Sequence, residues 1–153
     1  MATLPASGVF DTTTSLTKSV AKQKIYRAEM TYDLRTSGDY LTAVIANADV
    51  INLLTIPKNT VILGAALKIV TAGTKDATTF TLQLRHGTTA LGAALDATTG
   101  NGVAFGGAAT YNCPQSVGTS DVTLNLVAVV SGGNAVTTAN PVVKITLFLA
   151  DID

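Results

Sequence analysis

Hydrophobic and polar residues alternate with a period of two over most of the chain that follows Lys24. Successive side chains of a β-strand point to opposite faces, so this period predicts strands with one buried and one exposed face. The final stretch shows it well, with Val143, Ile145, Leu147 and Leu149 all on one parity. The same reasoning predicts long strands over residues 24–34, 49–56, 60–71, 78–85, 121–130 and 142–150.

Turn-forming residues separate these stretches. The predicted turns are Ser37-Gly38-Asp39, Pro57-Lys58-Asn59, Gly73-Thr74-Lys75-Asp76, His86-Gly87 and Ser131-Gly132-Gly133-Asn134. Residues 88–112 are rich in Gly, Ala and Thr and predict two weak strands with a long connection, while residues 40–48 fit either a strand or one helical turn. About eight short antiparallel strands without a long helix predict an all-β fold, a jelly-roll-like β-sandwich. The 25 threonines agree, since β-branched residues suit a pleated surface.

The first 23 residues differ from the rest in composition. They are rich in Thr, Ser and Lys and have only scattered large apolar residues, so they bury too little surface to offset their ordering entropy. We therefore divide the chain into an N-terminal arm, residues 1–23, and a β-sandwich domain, residues 24–153. An arm that docks on a neighbouring subunit and a terminus without a role are both consistent with this composition.

Charge is scarce and balanced. Charged residues make up 13% of the chain, and 10 basic residues balance 10 acidic ones, against roughly 25% charged residues in an average soluble domain. Because the basic residues are not clustered on one face, we expect no nucleic-acid partner and no membrane partner. The opening residues lack the pattern of a secretory signal, and the most apolar run, residues 61–70, is too short to span a bilayer. The single cysteine excludes an internal disulfide.

The residue types that catalysis uses are few. The chain has one histidine (His86), one cysteine (Cys113), one glutamate (Glu29) and nine aspartates. A nucleophilic pair of Cys113 and His86 has no local motif to support it. Turn aspartates such as Asp39, Asp76 and Asp96 ordinarily accept hydrogen bonds from nearby backbone. We therefore predict that the protein is not an enzyme and has no catalytic residues and no small-molecule substrate.

Binding sites for metals and cofactors have equally little support. His86 has no further ligands at short spacing, and the terminal Asp151-Ile152-Asp153 offers too few carboxylates for a cation cage. The glycines of Gly100-Asn101-Gly102 and Gly106-Gly107 match neither phosphate-binding motif, GxxxxGK[ST] or GxGxxG. We predict no metal site, no cofactor and no cofactor-binding residues.

Residues 53–71 and 78–87 carry a resemblance to a known class of proteins. A strand that ends in Ile56-Pro57 leads through a tight turn into a long apolar strand, and a Thr-rich strand then ends at Gly87. This arrangement resembles small jelly-roll-like virion structural proteins, of the head decoration or cement type, from tailed bacteriophages. The resemblance implies a structural protein of the virion, assembled in the host cytoplasm, whose partners are the major capsid protein or other virion proteins.

The residue pattern also predicts self-association, as a trimer. The strands are apolar on both faces over residues 61–70 and 127–130, whereas a sandwich of this size has only one interior. The alternative function is a receptor-binding or adhesive β-module, which would use exposed loop aromatics; Phe105 and Tyr111 are the candidates. A threonine-row surface that binds ice is a third hypothesis, although the chain lacks the internal repeat that such a surface needs.

Overall fold

The computed structural model describes residues 25–38, 40–41, 43–100, 102–106, 114–132 and 137–151. Within these ranges the regular structure is entirely β, which confirms the predicted all-β fold. Twelve strands occur in the described residues: β1 (Ile25–Asp33), β2 (Val50–Ile56), β3 (Thr60–Thr71), β4 (Thr74–Lys75), β5 (Thr79–His86), β6 (Thr89–Ala90), β7 (Leu95–Asp96), β8 (Val103–Gly106), β9 (Gln115–Ser116), β10 (Val122–Ser131), β11 (Thr137–Ala139) and β12 (Val142–Asp151).

Two antiparallel sheets of five strands each form the sandwich. Sheet one has the order β1-β12-β3-β8, and β9 also pairs with β3. Sheet two has the order β2-β10-β5-β6, and β7 also pairs with β5. Strands β4 and β11 form a separate two-stranded ribbon. The architecture is the jelly-roll-like β-sandwich that the alternation predicts.

The core lies between the two sheets and follows the predicted parity. Val143, Ile145, Leu147 and Leu149 of β12 are each at most 1% exposed. They face buried side chains of sheet two, among them Phe80, Leu82, Leu84, Leu124, Leu126 and Val130. Burial of a large apolar side chain stabilises a fold by about 1.5–3 kcal/mol, so the facing rows of the six long strands hold the sheets together.

Strand β3 departs from strict alternation. Ile62 is buried, Leu63 is 38% exposed, and Ala65, Leu67 and Ile69 are buried, so the inward parity changes in mid-strand. The register explains this change: Phe148 of β12 pairs with Gly64, and Leu149 pairs with Ile62, so Leu63 is an extra residue. Such a β-bulge leaves one residue unpaired and lets both halves of a strand face the core.

The described part of residues 40–48 contains neither the strand nor the helical turn considered above. Their described part is irregular apart from an isolated bridge at Ala46, and the side chain of Asn140 holds it in place. Asn140 Oδ1 accepts a hydrogen bond from Ile45 N (2.9 Å), while Nδ2 donates to Leu34 O (2.8 Å) and Ala43 O (2.9 Å). In a helix or strand these backbone groups would pair with other backbone groups. Here they bond to one side chain that is distant in the sequence.

The short strands were predicted less well. Residues 74–75 were assigned to a turn but pair with β11, and β9 lies where no strand was predicted. The described part of residues 88–112 holds three short strands, β6, β7 and β8, where two are predicted. Strands of two to four residues are too short to show a period, so their pairing depends on the neighbouring long strands.

The turn after β10 requires a glycine. Gly132 has φ +77°, and a Cβ there would collide with Thr78 Oγ1.

We predict that Asn140→Ala lowers the free energy of unfolding by about 2–4 kcal/mol, because it leaves several buried backbone groups without partners. Asn47→Ala is the matched control. Exposed Asn47 accepts one hydrogen bond, from Val130 N (3.0 Å), and its loss is expected to cost about 1 kcal/mol. Urea titration of both variants measures the difference. Equal costs would show that Asn140 does not hold the loop.

Candidate functional site

His86 ends β5 on the same parity as the buried Phe80, Leu82 and Leu84. Its backbone pairs with Leu124 on one side and Thr89 on the other. The Nε2 atom is buried and has no hydrogen-bond partner among the described residues. Burial lowers the pKa of the imidazole and so favours its neutral form. No carboxylate of the described residues orients this ring, so the geometry lacks the third member of a nucleophile-base arrangement.

Two of the described aspartates bond to backbone N–H groups. Asp96 accepts hydrogen bonds from Thr98 N (2.8 Å) and Thr98 Oγ1 (2.7 Å), and these contacts lower the pKa of its carboxyl group. Asp121 accepts from Lys58 N (2.9 Å). The Asp96 contacts are those expected of an aspartate at a turn, whereas the Asp121 contact joins residues 63 positions apart in the chain. The structure does not bring these groups together with His86 into a shared site.

The remaining sequence candidates form no metal or phosphate site in the described residues. No group of three or more His, Cys, Asp or Glu side chains lies close enough to hold a metal ion there. Gly102 has a backbone role, because its carbonyl accepts the hydrogen bond of Ile69 N (2.9 Å) next to β8. The described chain also contains no helix long and apolar enough to span a membrane. Several candidates lie outside the described residues: Asp39, Asn101, Gly107, Tyr111, Cys113, Ile152 and Asp153.

The outer face of sheet one carries a charged network that sequence reasoning missed. Glu29 of β1 lies beside Arg27 of the same strand, 2.6 Å from Arg27 Nη2 to Oε1, and beside Lys144 of β12, 3.1 Å from Nζ to Oε2. Thr146 Oγ1 also donates to Glu29 Oε1 (3.1 Å). The contact with Arg27, followed by that with Lys144, lowers the pKa of Glu29 to about 2. The pairing of β1 with β12 brings these distant residues together.

The outer face of sheet two is almost free of charge. Val50 and Val129 lie on it with exposed fractions of 49% and 45%, and Val127 pairs with Val50 in the register. Thr, Asn and Gln side chains surround them. Arg85 is the one charged residue among the described outward positions of β2, β5 and β10, and Asp96 of β7, which pairs with the outward Thr81, adds one acid. Asn125, in the middle strand, has a buried Oδ1 without a hydrogen-bond partner among the described residues. The described residues of this face are thus mostly uncharged, with two exposed valines among polar side chains.

Comparison with known proteins adds information on the fold alone. No protein-family model matches the sequence, and no curated protein does. The fold, however, has relatives among solved structures. A chain of the Ralstonia phage GP4 capsid superposes with a TM-score of 0.61 and 19% sequence identity, over 84% of both chains. A chain of the Cyanophage Pam1 capsid asymmetric unit superposes with a TM-score of 0.52 and 16% identity, also over 84% of both chains. The β-sandwich seen here is thus a fold that phage capsids contain.

The Glu29 network predicts a pH dependence of stability. A carboxyl group whose folded pKa is depressed stabilises the fold above its unfolded pKa, roughly 4.3, and that contribution is lost as the pH falls toward the folded value. The melting temperature of the wild type is therefore expected to fall more between pH 5 and pH 2 than that of Glu29→Gln. Thermal scans at both pH values test this. Parallel losses in the two proteins would show that the network does not contribute.

We further predict that His86 and Cys113 are dispensable. His86→Ala combined with Cys113→Ser should leave assembly unaltered, because no described group works together with the imidazole. Cys113→Ser alone controls for loss of a small apolar side chain, which costs some stability where the thiol is buried. A folded double variant that has lost its function would revive the enzyme or metal hypothesis.

Proposed function

We propose that this protein is a structural, non-enzymatic component of a tailed-phage virion, a decoration or cement protein that binds and stabilises the head shell. The observation that carries the proposal is the likeness of its fold to chains of two phage capsids over 84% of its length. The resemblance over residues 53–71 and 78–87 leads to the same class independently. In this proposal the protein belongs to the virion, and its partners are the major capsid protein and further copies of itself.

We assign shell contact to the outer face of sheet two. Three groups on this face would gain most from a partner: the exposed side chains of Val50 and Val129, and Asn125 Oδ1. Contact would remove the apolar area of the valines from water and could supply a hydrogen-bond donor to the buried Oδ1 atom. The near absence of charge lowers the desolvation cost of covering this face. A decoration protein needs such a surface on one side only, which agrees with the charged outer face of sheet one.

The direct test is co-sedimentation of the purified protein with capsid shells that lack it. Wild type is expected to sediment with the shells, whereas Val129→Asp should bind at least about tenfold more weakly because it places a charge in the contact. Thr119→Asp adds the same charge at an exposed residue outside the sheets and is the matched control. If neither wild type nor control sediments with shells, the shell-binding function is wrong. If Val129→Asp binds as well as wild type, shell contact uses another face.

A second test concerns the arm, residues 1–23, which lies outside the described residues. Deletion of residues 2–23 should leave the melting temperature of the domain nearly unchanged and sharply reduce binding to shells. The arm carries Lys18 and Lys22 against a single acid, Asp11, and its spaced apolar residues suit an extended segment that adds to a neighbour's surface. Unfolding or aggregation of the truncated protein would place the arm in the core or in a subunit interface. Unchanged binding would exclude its role in docking.

A further inference from the structure

Strand β1 lies at an edge of sheet one. It pairs with β12 in nine consecutive register pairs, beginning at Ile25 and ending at Asp33, without a bulge. Among the described residues no other strand pairs with β1, and no backbone hydrogen bond from a loop reaches it. In an antiparallel pair, alternate residues direct their N–H and C=O groups away from the partner strand. The outer edge of β1 therefore presents a row of backbone groups to which another strand can bond.

The core is also less well covered at this edge. Strand β1 has no proline and no inward-pointing charge, two features that commonly protect an edge strand from further pairing. Of its inward-facing side chains, Met30 and Tyr32 are buried. Tyr26 and Ala28, nearer the start of the strand, are only partly buried, and Ile25, the first residue, is 72% exposed. An added strand with apolar side chains on its inward side would cover this part of the core.

The sequence of the arm, which lies outside the described residues, contains a stretch suited to this edge. Residues 12–20 have no glycine or proline, and their side chains alternate with a period of two. One parity includes Leu16 and Val20, and the other carries hydroxyl side chains alone, those of Thr13, Ser15, Thr17 and Ser19. Threonine is favoured in strands because it is β-branched. The stretch has nine residues, the same number as β1.

The residues that join this stretch to β1 disfavour pairing within one copy. Residues 21–24 have the sequence Ala-Lys-Gln-Lys. Pairing with β1 of the same copy would require a hairpin turn here, and such turns favour Gly, Asn, Asp or Pro, none of which is present. In an extended conformation these four residues span about 13 Å. That length carries the stretch beyond the start of its own β1 and toward an adjacent copy.

We propose that residues 12–20 of one copy add as a strand to the β1 edge of a second copy, with Leu16 and Val20 on the inward side. Every copy carries both the stretch and an edge of matching length. In strand addition the backbone hydrogen bonds supply affinity and the alternate side chains supply specificity. These bonds and the apolar burial offset the entropy cost of ordering the arm. The contact joins copies of this chain, and so goes beyond the proposed virion function.

Charge placed on one parity of the arm or the other tests this arrangement in the free, full-length protein. Leu16→Asp with Val20→Asp should raise the dissociation constant of self-association at least about tenfold, because both carboxylates would be buried against β1. Ser15→Asp with Ser19→Asp adds the same charge at the same spacing on the outward parity and should associate like wild type. Sedimentation velocity measures association, and circular dichroism checks that each variant is folded.

A photo-crosslink identifies the edge to which the arm binds. A p-benzoylphenylalanine in place of Thr17, on the outward parity, is expected to link to the outward residues Arg27, Glu29 or Thr31 of another copy. The experiment uses a mixture of unlabelled and isotope-labelled protein. Crosslinked peptides that combine both isotopes arise only between copies, so mass spectrometry separates them from links within one copy.

A wild type that is monomeric at micromolar concentration would overturn the inference. Normal association of Leu16→Asp with Val20→Asp would also overturn it, as would equal weakening by the two double substitutions. Crosslinks within one copy would show that the arm lies on its own β1, and crosslinks to any other strand would show that it uses another surface; both results contradict the proposal. The measurements use no capsid shells, so they are independent of the proposed virion function: a chain can associate in this way and not bind shells, or the reverse.

Discussion

Strand β12 pairs along its length with both β1 and β3, and this double pairing is the constraint on which the rest of the structure depends. Nine register pairs join β12 to β1, and ten join it to β3. The first described strand and the last one are thereby neighbours in one sheet. Since β12 also contributes four fully buried side chains to the core, its loss would both split sheet one and empty the interior.

The same pairing determines what the surfaces can do. Alternation means that the residues between the buried ones of β1, β3 and β12 must point outward, and the register aligns Glu29 with Thr146 and Lys144 with Lys68. The charge network is therefore a consequence of the strand register. The outer face of sheet two follows from the analogous position of β10 between β2 and β5, and its described residues are mostly uncharged. One sandwich thus presents a charged face and a face with few charges.

A β-bulge in β3 and the buried side chain of Asn140 modify the regular sandwich. The extra residue Leu63 lets a strand of 12 residues bury Ile62 and Leu67 on the same side. Asn140, 1% exposed, satisfies backbone groups of a loop that lies about a hundred residues earlier in the chain. The β-bulge corrects a mismatch in strand parity, and Asn140 provides partners for unpaired backbone groups. Regular strand pairing alone does neither.

The sequence by itself determined the six long strands and, apart from β3, their inward faces, because a two-residue period is a local property that each stretch displays without its partners. It also indicated the excess of apolar residues on the outer faces, seen in Val129 and Val70. Tertiary structure alone decided the parity change at Leu63, the irregular loop held by Asn140, the two-residue strands, and the neighbourhood of Glu29, Lys144 and Lys68. These features depend on which strands are adjacent and in what register. That information is non-local, since the pairs that form it lie up to 125 residues apart in the chain.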